Sequence, residues 1–386
     1  MKRALISLAL GTFGLGVSEF VIMGILPYMA ADFGVTIAEA GHFISSYALG
    51  VCTGAPLMVA IMRTWPLKRI VVTLMGIYIL AAVTMSLCQE YYSMLAIRFM
   101  AGLPHGAYFG VGSIIADRLA RGHKSTTAVA VMCLGMPVAN LIGIPLGTFI
   151  CQMASWHYIF AFSAVWGGVT LLCIWRFIPT MEALPDVGMR GQFRFLKSLA
   201  PWLLIGATLL GNGGVFSYFS YYAPLLTDYS GISPSLLPMM SVIAGAGMVC
   251  GNIAGGTFSD KIGPGHTGRA LEIIMFFSLL SIFLFSHIAW CSILCMFLTT
   301  FCLFGVSSPQ QLLLLRFSQG GEFLAGCMVQ LAFNLGNALG AYFGGIPLTC
   351  GLTYNYTALP GFMMAAGGIV CYMIFCRRYE RLAKNK

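Results

Sequence analysis

The sequence predicts an all-α polytopic membrane protein, with twelve transmembrane helices arranged as two pseudo-symmetric six-helix halves. Three observations carry that prediction. The 386-residue chain is 59% hydrophobic and only 9% charged, whereas an ordinary soluble domain averages about 25% charged residues. Apolar stretches of roughly 20 residues, each able to cross about 30 Å of hydrocarbon, recur from end to end. The strict short-segment alternation of a membrane β-barrel is missing.

Charges, polar clusters, Pro and Gly cut the chain into spans at roughly 4–30, 39–62, 69–88, 92–116, 126–150 and 157–178. The second set falls at roughly 199–226, 234–258, 269–288, 290–315, 322–348 and 357–376. The first run follows MKR, as a secretory leader would. It is about twice the length of a leader's apolar core and contains Glu19, so it reads as a helix. The longest polar connection, PTMEALPDVGMRGQFRFLKS at 179–198, separates the halves 1–178 and 199–386.

Lys and Arg fix the expected orientation, because they stay on the cytoplasmic side. Alternate loops carry Arg63, Lys68 and Arg69; then Arg118, Arg121 and Lys124; then Arg176, Arg190, Arg194 and Lys197; then Lys261 and Arg269; then Arg316. The intervening loops contain Asp32, Glu39, Glu90 and Asp228 but no Lys or Arg. Both termini are therefore expected in the cytoplasm. The formal net charge of +9 is explained by this pattern and by an anionic inner leaflet, which leaves nothing for nucleic acid. The thirteen cysteines fall mostly inside apolar runs and read as small buried apolar residues, with no metal or disulfide framework.

The two halves are related by an internal repeat. An offset of 197 residues aligns Gly14 with Gly211, Gly16 with Gly213, Pro27 with Pro224, Gly34 with Gly231, Gly50 with Gly247 and Gly54 with Gly251. The same offset aligns Asn140, Gly143 and Gly147 with Asn337, Gly340 and Gly344. The G-x-x-x-G pairs place a smooth stripe on one helix face, so that backbones can approach closely in lipid.

These features together resemble the major facilitator superfamily. The stretches LGTFGLGVSEFVIMGILP, AGHFISSYALGVCTGAPL, RFMAGLPHGAYFGVGS, VANLIGIPLGT and FNLGNALGAYFGGIPLTCGLTYNY resemble the sugar efflux permeases of its twelve-helix drug/proton antiporter family. The family's fourth-helix R-x-x-x-G is met by Arg98 and Gly102. Its fifth-helix glycine motif is approximated by Gly135, Gly143, Pro145 and Gly147. The loop motif G-x-x-x-D-[RK]-x-G is met after span eight by Gly256, Asp260, Lys261 and Gly263. The corresponding stretch after span two has no Asp. The resemblance implies a proton-coupled exporter of sugars such as arabinose in the bacterial inner membrane, working as a monomer by alternating access. Proton-driven export of drugs of the chloramphenicol type is the alternative.

The residues agree with that implication. No G-x-x-x-x-G-K-[ST] loop is present, so ATP is not the direct energy source. The implied coupling ion is the proton, with no cofactor and no metal. No span carries paired carboxylates, H-E-x-x-H or a Ser/His/Asp cluster, so enzyme chemistry is not expected. No soluble output domain supports a sensor.

Glu19 and Arg98 are the ionisable residues expected deep in the spans. At 1.5 Å per residue, Glu19 lies about 22 Å from the cytoplasmic start of span one, and Arg98 about 9 Å from the outer start of span four. In the implied fold both helices line one half's cavity, which suggests a Glu19–Arg98 pair, direct or bridged by water. The pair is either a proton switch or a fixed structural ion pair. His105, two turns from Arg98 on about the same face, is either a proton relay or a filler of a polar gap. Sugar hydroxyls need amides and aromatic faces, and Asn140, Asn212, Phe216, Tyr218, Gln310, Gln330, Asn334 and Asn337 offer them. Interhelical hydrogen bonding is the other reading of each amide.

Overall fold

The computed structural model describes residues 1–120 and 122–384. Arg121, one of the loop cations named above, lies outside them. Helices make up the described fold, and no strand occurs among the described residues. The first six long helices are α1 (Lys2–Phe33), α2 (His42–Met62), α3 (Leu67–Ser86), α4 (Tyr91–Ala120), α5 (Ser125–Met153) and α6 (His157–Phe177). The next six are α7 (Leu199–Phe219), α8 (Leu237–Ile262), α9 (Pro264–Phe285), α10 (Ala289–Arg316), α11 (Glu322–Thr349) and α12 (Ala358–Lys384).

Eleven helices among the described residues are long and apolar enough to span a membrane, and α4 is not one of them. It has the length, at 30 residues, but Arg98, Pro104 and His105 interrupt its apolar character. Several boundaries differ from expectation. The predicted seventh span ran to 226, but α7 ends at Phe219 and a π-helical turn follows at Leu225–Tyr229. The central connection is not plain loop, since it holds a short helix at Gly188–Gln192 and a 3-10 turn at Arg194–Lys197. A π turn at Ala139–Gly143 interrupts α5, and α10 breaks at Val306.

The chain packs into two compact units. Unit 1 comprises Met1–His123, Val131–Arg194 and Gly320–Leu331; unit 2 comprises Lys124–Ala130, Phe195–Gln319 and Ala332–Lys386. Within unit 1, α1 is the central helix, buried along most of its length, whereas α6 is mostly half-buried or exposed. The exposed side of α6 carries Phe162, Val165, Val169 and Leu172, a stripe at helical spacing that suits contact with lipid. Unit 2 follows the same plan, with α7 buried along most of its length and α12 more exposed.

Glycine sets the closest helix approaches. A Cβ added at Gly50 or Gly54 of α2 would strike the α4 backbone at Phe99 or Leu103. In unit 2, one added at Gly247, Gly251 or Gly255 of α8 would strike α10 at Phe297, Phe301 or Gly305. The repeat extends to backbone conformation: Gly34 and Gly231, 197 residues apart, have φ of 65° and 70°, values that glycine adopts without steric cost. All thirteen cysteines are free. Cys250 and Cys350 are exposed rather than buried, a correction to the uniform reading above.

Candidate functional site

Four side chains from three helices of unit 1 form a buried polar chain. Arg98 of α4 is completely buried and anchored by backbone carbonyls. Its Nη1 donates to Ser18 O of α1 at 2.7 Å, and its Nε donates to Phe43 O of α2 at 3.2 Å. The guanidinium also lies 4.4 Å above the ring of Tyr47. The Tyr47 hydroxyl is 2.8 Å from His105 Nδ1, and His105 Nε2 is 3.6 Å from Glu19 Oε2. Phe109 stacks on the imidazole with ring centroids 5.1 Å apart.

The sequence suggested Glu19 and Arg98 as a pair. In the structure Glu19 Oε2 faces His105 Nε2 at 3.6 Å, and Arg98 is linked to His105 through Tyr47. Magnitudes explain why Arg98 needs no carboxylate. A charge at such depth costs about 2.5–3.5 kcal/mol on insertion scales. Two hydrogen bonds to a charged group, each about 1.5–3 kcal/mol, and a desolvated cation–π contact of about 2 kcal/mol offset that. Glu19 Oε2 and Arg98 Nη2 have no hydrogen-bond partner among the described residues. Tyr47 and Ser18 were not singled out from sequence, and only their helical spacing from Phe43 and Glu19 could have marked them.

Gly135, Gly143 and Gly147 of α5 seat α1, the helix that carries Glu19. A Cβ at Gly135 would strike the α1 backbone at Ala9 and Phe13, while ones at Gly143 and Gly147 would meet Val17 and Val21. Thr12 Oγ1 donates to Met132 O at 2.6 Å on the same face. Pro145 follows the π turn that contains Asn140, whose Nδ2 donates to Met136 O at 3.4 Å within α5.

The second loop motif lies on the last turns of α8, in unit 2. Asp260 accepts from the backbone N–H groups of Thr126 and Thr127 at 3.0 and 2.9 Å. It therefore caps two of the orphan donors at the start of α5 from outside that helix. One and two turns earlier on the same face, Gly256 leaves room for Ala130 and Asn252 Nδ2 donates to Ala130 O at 2.7 Å. Lys261 is exposed. After α2, where the motif lacks its Asp, Arg63 pairs with Asp186 of the central connection at 3.0 Å. The Gly188 N–H, followed by Arg63, holds the Asp186 carboxyl below its usual range.

The polar substrate candidates are divided between the two units. Gln330 is buried in unit 1 near His105. Asn212, Phe216, Tyr218, Gln310, Asn334 and Asn337 belong to unit 2. Tyr218 is committed to Thr299 Oγ1 at 2.7 Å, and Phe216 packs edge-on to Phe333. Gln310 Nε2 and Asn337 Oδ1 have no hydrogen-bond partner among the described residues.

The sequence reading also missed a buried carboxyl. Glu272 of α9 has no solvent exposure, which overturns the expectation that the second half carries no deep charge. With the span placed at 269–288, Glu272 stood at its margin. The helix begins at Pro264, and Glu272 is then about 12 Å inside it.

Twelve long helices among the described residues and a duplicated glycine framework are the architecture of a multi-pass membrane transporter, and the chain belongs to the Major Facilitator Superfamily, whose family model matches residues 8–341. It is similar to AraJ of Escherichia coli (strain K12), 40% identical over 381 residues covering 99% of this chain and 96% of that one. A chloramphenicol resistance protein of Streptomyces lividans is 30% identical over 268 residues, 68% of each chain. Among solved structures, the proton:xylose symporter XylE superposes with a TM-score of 0.77 at 14% identity, covering 98% of this chain and 95% of XylE. That likeness is one of fold.

Proposed function

We propose that the protein is a proton-coupled exporter of sugars such as arabinose, or of related small polar metabolites, working by alternating access. The observation that carries the proton step is the buried Arg98–Tyr47–His105–Glu19 chain. When Tyr47 donates to Nδ1, Nε2 carries the imidazole proton and faces the Glu19 carboxylate. A proton arriving on Glu19 removes that attraction. The carboxyl thus has a charged form held by its neighbours and a neutral form compatible with a closed, dry surrounding. Arg98, fixed to α1 and α2, keeps a positive field near Glu19 in either form. One proton moving down a 100 mV potential supplies about 2.3 kcal/mol, which sets the scale of export against a gradient.

The proposed orientation places both termini in the cytoplasm, on the Lys and Arg pattern, and the proposed membrane is the bacterial inner membrane. The polar substrate class is supported by the number of buried amides and by likeness to a relative described as a sugar efflux transporter, 26% identical over 374 residues. The chloramphenicol resistance relative favours a second reading, export of apolar drugs across an aromatic and Met-rich wall.

Inverted vesicles loaded by an imposed proton gradient test the reading with labelled arabinose. Wild type should accumulate the sugar as the gradient is applied. Glu19→Gln should lose gradient-driven accumulation but keep gradient-free sugar exchange. Undiminished gradient-driven transport in Glu19→Gln would remove Glu19 from the coupling step. Chloramphenicol accumulating in place of arabinose would select the drug reading.

A further inference from the structure

Unit 2 holds a carboxyl that the proposed transport step does not use. Glu272 is fully buried, and neither of its oxygens has a hydrogen-bond partner among the described residues. It forms no ion pair among them either. Two glycines make room for it. A Cβ at Gly211 of α7 would land on the carboxyl group, and one at Gly368 of α12 would crowd it at 3.0 Å. This is a built pocket, because any side chain at either position would fill it.

The groups facing it carry no cation. From α10 comes Cys302, and from α12 come Cys371 and Tyr372, the last with Gln310 beside it. Cys376 and Glu380 follow on α12 near its end, where Glu380 pairs with His266 at 3.0 Å. The ionisable residues of α8 (Cys250, Asp260 and Lys261) are exposed, and Tyr218 of α7 is bonded to Thr299. Arg269, one turn earlier on α9, lies beside Cys376.

The repeat gives a comparison. Gly211 is the counterpart of Gly14, and in unit 1 the Tyr78 hydroxyl of α3 donates to Gly14 O at 3.0 Å. Helix α9 is the counterpart of α3, and Glu272 reaches Gly211 from one turn before the position matching Tyr78. The same notch therefore receives a neutral O–H donor in unit 1 and a carboxyl in unit 2. A carboxylate has no hydrogen to donate there, whereas a carboxylic acid has one. An unpaired charge in such a place costs several kcal/mol, and a neutral acid does not incur that cost.

We propose that Glu272 is a second proton-binding site, a neutral carboxylic acid seated in the Gly211–Gly368 notch of unit 2. The ligand is a single proton, and the acid O–H is directed to the α7 backbone as the Tyr78 hydroxyl is directed to Gly14. This assignment stands apart from the transport reading, since it needs neither a substrate nor Glu19.

Infrared spectroscopy of the full-length protein carrying carbon-13 glutamate tests it at neutral pH. Subtracting Glu272→Gln from wild type should leave one isotope-shifted carboxylic C=O band, and that band should persist in a Glu19→Gln background. If the subtraction instead leaves the paired bands of an ionised carboxylate, the proposal is overturned. Should Glu272→Gln not fold, unlabelled wild type subtracted from labelled, in the same Glu19→Gln background, gives the same two outcomes: a buried carboxylic band, resistant to exchange in heavy water, or its absence.

Discussion

At the scale of single residues, each polar group's surroundings decide its state. Arg98 is held by two carbonyls and a ring, contacts that tie three helices together. Glu19 has one long contact, to His105, which is why the proposed proton step is assigned to it. Asp186 shows how surroundings set a state in the exposed central connection, where the Gly188 N–H and Arg63 hold its carboxyl below the usual aspartate range. A depressed carboxyl contributes stability that is present above its unfolded value and disappears as pH falls through the folded one. A spin label at Glu182 should therefore stay ordered at neutral pH and become mobile only in acid, below the ordinary aspartate range. In Asp186→Asn the label should already be mobile at neutral pH. Equal mobility of the two proteins at neutral pH would show that the Arg63 pair does not order the connection.

At the scale of elements, glycine faces govern which helices meet. Gly54 of α2 lies so close to Leu103 of α4 that a methyl group would meet its backbone, and Gly251 of α8 has the same relation to Phe301 of α10. Backbone cannot yield as a side-chain end does, so Gly54→Ala and Gly251→Ala should each cost about 1–3 kcal/mol. Each should lower the thermal unfolding midpoint in detergent, while Gly76→Ala, at an open position, should leave it unchanged. Matching midpoints for all three variants would refute close backbone packing at these pairs. These contacts were legible in the sequence, because G-x-x-x-G at one offset in both halves has few other physical readings. The π turn at 139–143 was not legible, since one extra residue in a helical turn leaves the hydrophobic period almost unchanged.

For the whole molecule, hydropathy and the 197-residue repeat made the class and helix order readable before any coordinates. The site was less readable, for a geometric reason. Glu19, Arg98 and His105 stand out because charge is rare in the spans, but which of them touch depends on side-chain direction. Tyr47 connects them although tyrosine is common in membrane helices. Glu272 escaped notice because its depth rests on a helix start, the feature that composition fixes least well. The units also place their unpaired buried carboxyls differently: Glu19 lies on α1, whereas Glu272 lies on α9, the counterpart of α3. Duplication fixed the scaffold, and each copy acquired its own acid at a different place on it.

The composition of α4 has a consequence for how the chain is made. Eleven helices among the described residues are long and apolar enough to cross a membrane, and α4, which carries Arg98, Pro104 and His105, is not among them. Its carbonyl acceptors, at Ser18 and Phe43, sit on helices that leave the ribosome earlier. Insertion of α4 then becomes a docking event, in which a nascent helix enters the bilayer against segments already there. In a glycosylation-reporter assay, residues 91–120 alone should insert poorly and the same helix behind residues 1–90 should insert well. Equal insertion of both would mean that α4 enters unaided. If the docking order holds, the arginine that binds three helices together also makes biogenesis sequential, so α1 and α2 act as the chaperone of α4.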